Sequence, residues 1–203
     1  MGDYIYLILL VFIAVVVVIV GLKIKSAQKK RGAEEYTASL KAKKLAARRA
    51  ELTKSIKKVS WDPKFSVDEG IIDQDHQFLF NLINKFNENI PKYQTPSQLV
   101  PALTLITKYT QNHFAREIKL QKAAGFLHIE EHHQQHNDLI AKYNGLVQKA
   151  TKANEDTVTD VAVEIGAFLE EWLVKHVLEN DLAMKPYVDK MRDTAGKMDQ
   201  IAI

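Results

Sequence analysis

The sequence predicts an all-α protein: an up-down-up-down four-helix bundle preceded by a single transmembrane helix and a basic helical stalk. Three observations carry this. Apolar residues recur at helical rather than alternating spacing after residue 70, breakers are sparse at five Pro and eight Gly, and an uncharged apolar run opens the chain. Four boundaries follow: an anchor over 1–22, a linker over 23–58, a bundle domain over 59–190 and a C-terminal tail over 191–203.

Tyr4 to Leu22 is 19 residues without a charge. At 1.5 Å per residue it reaches roughly 28 Å, about one hydrocarbon thickness. A cleaved signal peptide would carry its basic residues before the apolar run and a small-residue cleavage site after it. Here Lys23, Lys25, Lys29, Lys30 and Arg31 follow the run, so the reading is a retained single-pass anchor. The positive-inside rule then places the N-terminus outside the inner membrane and the rest of the chain in the cytoplasm.

The net charge of +3 conceals two opposite segments. Residues 23–58 carry 13 Lys/Arg against 3 Glu, while residues 59–203 carry 15 against 21 acidic residues. The basic segment is rich in Ala, Leu, Lys and Arg and reads as a helix by propensity. Ala38, Leu45, Leu52 and Val59 recur every seven residues, but their companions Ala42, Arg49 and Ile56 are mixed. A weak homodimer through a coiled-coil stalk is therefore the second reading, behind a basic helix attracted to an anionic lipid bilayer. Nucleic acid is not expected as a partner, because no aromatic residues interleave the charges.

After Val59 an irregular lead-in runs through Trp61-Asp62-Pro63 and Ser66 to Gly70. The first bundle helix is expected over about Ile72–Asn89, with Phe78, Leu79, Leu82, Ile83 and Phe86 inward and a stop before Pro91. Ser97 is expected to cap the second, which tolerates Pro101 and continues to about Ala124. The third spans about Ile129–Lys149. The fourth spans about Glu155–Met184, ended by Pro186.

The most specific stretch runs from His113 to His136. His113 and Glu117 are four apart, as are His132 and His136, so each pair shares a helix face. A turn near Gly125 folds the pairs against each other. The outer helices add His76, preceded by Asp73 and Asp75, and His176, followed by Glu179 and Asp181. Five histidines with carboxylates between them exceed what one ion requires and suit two, and imidazole with carboxylate suits iron, manganese or zinc. His128 and His133 are surplus, His133 lying one step off the ligand stripe. With no cysteine, thiolate zinc sites, Cys-ligated iron–sulfur clusters and disulfides are excluded.

These residues carry a family resemblance. Trp61 with its lead-in, Ile72-Asp73-x-x-His76, His113-Phe114-x-x-Glu117, His132-x-x-x-His136 and Trp172-Leu173-x-x-His176 followed by Asp181 resemble a bacterial hemerythrin domain over about residues 59–190. Ile118 departs from the pattern, where members commonly carry a second Glu. The resemblance implies two non-heme iron ions with carboxylate and hydroxo or oxo bridges, and dioxygen as a reversibly bound ligand. It implies that His132, His136 and His176 ligate one iron, His76 and His113 the other, and that Glu117 and Asp181 bridge. It also implies that dioxygen meets the ion held by His76 and His113. Helical geometry alone favours Glu179 over Asp181, because residue i+5 is rotated about 140° from His176; a local widening of the helix would reconcile the two. Phe114, Trp172, Leu173 and Val177 flank the ligands as wall residues of an apolar oxygen pocket.

The expected function is a membrane-tethered dioxygen carrier rather than an enzyme, storing the gas or delivering it to a membrane-bound oxygen-consuming enzyme. One alternative is a di-iron oxidase or scavenging enzyme. A ferritin-like site wants two Glu-x-x-His pairs, and this chain has only the spacing Glu130-x-x-His133. The other is an oxygen or redox sensor, which needs a partner because no output region is present in 203 residues.

Overall fold

The computed structural model describes residues 2–54 and 56–201. Met1, Ser55, Ala202 and Ile203, which the expected anchor, linker and tail include, lie outside the described residues. The described residues are helical throughout, without strands: α1 (Gly2–Thr53), α2 (Ile71–Asn89), α3 (Pro96–Ala124), α4 (Ile129–Thr151), α5 (Val158–Glu179) and α6 (Lys185–Ile201). The chain divides into two compact units, Met1–Arg48 and Arg49–Ile203.

In the first unit, α1 has no buried face. Ile8, Leu10, Phe12, Val17, Val18 and Leu22 are each at least 60% exposed, on every side of the helix. It is the one described helix long and apolar enough to cross a membrane. Past Lys23 its surface is charged, with i,i+4 ion pairs from Lys30 to Glu34 and Arg31 to Glu35.

The second unit is the bundle. α2 packs against α3 and α5, α4 packs against the same two helices, and α6 lies along α3. Leu79, Ile83, Leu99, Leu103, Ile165, Leu169 and Leu173 fill the main core. A second core of Val67, Ile72, Phe126, Met184 and Val188 closes the end where α6 docks. The lead-in is held by polar side chains. Val59 donates its N–H to Asn84 Oδ1 at 3.0 Å and accepts from Asn84 Nδ2 at 2.7 Å. Asp73 accepts from Ser66 Oγ and from the N–H groups of Val67 and Glu69 (2.5, 2.7 and 2.9 Å). Asp68 accepts the first N–H groups of α2, from Ile72 and Asp73. Asp73 is thereby committed to the loop.

Local chemistry moves two expected boundaries. α3 is capped by Thr95 rather than Ser97: Thr95 and Gln98 form a reciprocal capping box, with Pro96 at the first helical position. The fourth bundle helix ends at Glu179, not Met184. Asn180 leaves the helix, Asp181–Met184 forms a 3-10 turn, and Pro186 falls in the first turn of α6 instead of terminating anything. Proline suits a helix start because its missing N–H has no intrahelical partner there. Gly125 ends α3 at φ +68, a left-handed conformation that glycine adopts without a Cβ clash, and Phe126 N–H reaches back to Gln121 C=O at 2.9 Å.

Candidate metal centre

Seven ligand-type side chains meet inside the bundle. α2 supplies His76, α3 supplies His113 and Glu117, α4 supplies His132 and His136, α5 supplies His176, and the 3-10 turn supplies Asp181. None is more than 4% exposed. They form two sets that share both carboxylates: Glu117, Asp181, His132, His136 and His176, and Glu117, Asp181, His76 and His113.

The spacing inside the first set is close. His136 Nε2 lies 3.0 Å from His132 Nε2 and 2.8 Å from His176 Nε2. Two nitrogens bound at right angles to one ion, each at about 2.1 Å, would stand about 3.0 Å apart. Asp181 offers one oxygen to each set, Oδ1 at 3.0 Å from His176 and 3.3 Å from His132, and Oδ2 at 3.1 Å from His76. Glu117 Oε1 is 3.5 Å from His132, while Oε2 is 3.2 Å from His136 and 4.0 Å from His113.

The approaches between carboxylate oxygens and imidazoles are not aligned hydrogen bonds. All four carboxylate oxygens of Glu117 and Asp181 and both nitrogens of His76 are buried without an aligned partner. Two buried carboxylates in that state are costly unless cations meet them. The lone pairs converge on common points instead of on one another, and the donor set fits two hard-to-borderline metal ions.

The hemerythrin HHE cation binding domain matches residues 68–188, a span that holds all seven donors. The chain belongs to the hemerythrin family. Myohemerythrin of Riftia pachyptila is 30% identical over 62% of this chain and 89% of its own length. Bacteriohemerythrins of Clostridium acetobutylicum and Methylococcus capsulatus are 24% and 25% identical, over 64% and 63% of this chain and 98% and 88% of theirs. No solved structure matches the chain at a significant level. Membership implies di-iron binding and suggests a dioxygen-binding protein.

The break after Glu179 is what brings Asp181 into the hemerythrin centre. No widened turn is needed, because the helix ends and the 3-10 turn carries the carboxylate inward to full burial. Glu179, the residue that helical phase favours, points outward with its side chain 60% exposed, 3.9 Å from Lys175. His133 is exposed, and His128, also exposed, sits 3.1 Å from Glu131.

Burial and neighbouring charges split the imidazoles. Burial opposes a proton on His132, but Asp181 and Glu117 beside it outweigh this and push its pKa up to about 9. Burial dominates at His136, which is held down to about 4 despite Glu117, with His176 and His132 adding repulsion. Asp181 is held well below the usual carboxylate range: burial works against this, and His176, His132 and His76 overcome it.

The support of the ligands is what spacing did not reveal. Asp75 receives a fork from Arg116 (Nε to Oδ2 2.6 Å, the terminal nitrogen to Oδ1 2.9 Å) and a hydrogen bond from Tyr109 Oη at 2.9 Å. Its Oδ2 also lies 3.4 Å from His113 Nδ1. A carboxylate at that nitrogen fixes the tautomer and turns Nε2 toward the centre. At His176 the Asn180 side-chain nitrogen lies 3.0 Å from Nδ1, a contact that orients the ring but, coming from a donor, does not select the tautomer as Asp75 does at His113. Asp75 and Arg116 each sit one residue before a donor, off the ligand-bearing face, so a search for same-face pairs passes over them.

Of the four expected pocket residues, two touch ligand rings. Phe114 stacks flat on His136 with centroids 3.5 Å apart, and Trp172 lies edge-on to Phe114 at 6.3 Å and 5.9 Å from His176. Leu173 and Val177 are buried in the main core.

Proposed function

We propose that this hemerythrin is a reversible dioxygen carrier rather than an enzyme, held at a membrane by α1. The observation that carries the reading is the pair of buried donor sets sharing Glu117 and Asp181. His132, His136 and His176 would hold one iron and His76 and His113 the other, with Glu117 and Asp181 shared between them. A pair of ferrous ions held there would supply reversible two-electron chemistry toward dioxygen. The protein's part is to orient the imidazoles and to exclude water. Asp75 fixes the His113 ring, Asn180 the His176 ring, and Phe114, Trp172, Leu173 and Val177 line the approach with apolar surface. The His76/His113 side offers one donor fewer than the other set and so would leave room for the gas.

The tether rests on the apolar opening of α1, whose described large apolar side chains are exposed, and on the basic residues that follow it, which suit an anionic leaflet. The positive-inside rule puts the N-terminus outside and the bundle in the cytoplasm. An anchored carrier concentrates dioxygen in the plane of a membrane-bound consumer, so delivery is the role. The test is metal analysis with optical spectroscopy on anaerobically reduced protein cycled between dioxygen and inert gas. Two irons per chain and a spectrum that returns over repeated cycles are expected. One irreversible oxidation, or a single bound ion, refutes it.

A further inference from the structure

Outward of the centre, α3, α4 and α5 form a narrow, partly open cavity of about 20 Å³, walled by Ile106, Thr110, Ile140, Tyr143, Leu169 and Trp172 among others. Its surface is almost entirely carbon. The volume exceeds the roughly 10–15 Å³ that one water-sized molecule needs, and apolar cavities of this kind stay dry and take up apolar guests. On each helix the wall stands four residues, one turn of about 5.4 Å, from a residue of the centre. Thr110 precedes Phe114, Ile140 follows His136, and Trp172 precedes His176.

The cavity shares a wall with solvent. Leu139, Phe168 and Trp172 also line a surface groove of about 440 Å³ between α4 and α5, which reaches His176 and is flanked by Lys142, Glu171 and Lys175. Three apolar side chains are therefore common to a groove flanked by charges and to a cavity lined by carbon. Trp172 belongs to both and meets Phe114 edge-on, and Phe114 lies flat on His136.

We propose that the cavity is a transit pocket for a small apolar gas, with Trp172 the gate between groove, pocket and centre. Dioxygen as the gas rests on the function proposed above. Ions and water in the groove must shed their hydration to enter the pocket, a cost a neutral apolar diatomic does not meet. The pocket thus selects by polarity as well as size. A pocket on the path, as distinct from a second binding site at the metals, changes how fast gas arrives and leaves and not how tightly it is finally held.

The rival occupant is a water held between Thr110 Oγ1 and Trp172 Nε1, which are both buried without a hydrogen-bond partner. Xenon-pressurised crystals of the full chain, with flash-photolysis or stopped-flow kinetics of the loaded protein, separate the two. Ile140→Phe fills the pocket from the half-buried face of α4, and Thr110→Ile fills it from α3 should the first fail to fold. Xenon is expected in the parent cavity and not in the filled variant. Association and dissociation rates of dioxygen should fall together by about tenfold, the effect of about 1.4 kcal/mol of added barrier, at unchanged equilibrium affinity and iron content. Water in place of xenon, or unchanged rates in a filled variant, overturns the inference while reversible oxygenation persists. Loss of reversible oxygenation in the parent chain, with xenon still bound, instead overturns the function and dioxygen as the cargo.

Discussion

Asp75 is the residue on which the orientation of the His76/His113 side depends, and Asp75→Asn tests that dependence. The carboxylate is 3% exposed and accepts two hydrogen bonds from Arg116 and one from Tyr109, besides its 3.4 Å approach to His113. An amide keeps the shape but loses the charge, and its NH2 group faces a donor on one side. Hydrogen bonds to a charged group are worth about 1.5–3 kcal/mol each. Arg116 remains about one-third exposed and recovers water, so the net loss is set at about 2–3 kcal/mol for the metal-free fold. Loss of a partner behind a ligating imidazole weakens metal binding by about 10–100-fold. Burial would raise the Asp75 pKa, but His113, Arg116 and Tyr109 hold it far below the usual range. Its stabilisation is therefore complete above the unfolded value of about 3.9 and is lost as pH falls toward the native value. Urea unfolding against pH, with a competitive metal titration, reads both effects. The variant should be destabilised at pH 7, and its stability should fall less steeply than the parent's below about pH 4. Parent-like metal affinity in a folded Asp75→Asn protein would refute the positioning role.

Removing metal should destabilise the bundle, because Glu117 and Asp181 are then buried without compensation; a lower melting temperature after chelation checks this. With its pKa raised to about 9, His132 holds a proton in the stripped protein at neutral pH and must release it on loading. An indicator dye should report that release at pH 7 and its disappearance as pH rises through about 9. In the stripped protein the same shift stabilises below the unfolded value of about 6.5 and is lost as pH rises toward 9. Gly166→Ala would place a Cβ 2.4 Å from Asn87 Oδ1, a side chain buried at the contact. Overpacking of this kind costs about 1–3 kcal/mol, measurable by thermal unfolding at unchanged iron content. Deleting residues 1–48 removes the first compact unit; the remainder should load metal normally but no longer sediment with anionic lipid vesicles.

The periodic parts of the molecule were the readable parts. An i,i+4 pair shares a face in any α-helix, so the spacings of His113 with Glu117 and His132 with His136 predicted side chains the structure brings together. Asp181 was not readable from periodicity, because it reaches the centre only where periodicity fails. The pattern resemblance named it, and the end of α5 explains it. The cap of α3 was misplaced by two residues because Thr95 and Ser97 are both good caps, and only the reciprocal bonds with Gln98 select Thr95. Pro186 misled for a related reason: proline marks a helix boundary without saying which side of it the helix lies on.

The interruption between Glu179 and Lys185 also ties the end of the chain to the shared carboxylate. Asp181 is not anchored by the helix that carries His176 but hangs from a four-residue turn, whose Met184 is wedged against Ile72, Phe126 and Val188. α6, docked along α3 and packed on the 3-10 turn, thereby helps to hold the turn that carries Asp181. Val188, seven residues past Asp181 and outside every donor motif, packs in the same small core as Met184, so a cavity made there is felt first by the turn that carries Asp181 and not by the helices that carry the five imidazoles. The placement of the shared carboxylate and the placement of the imidazoles thus rest on two different cores, the first on the one α6 closes and the second on the interior of the bundle.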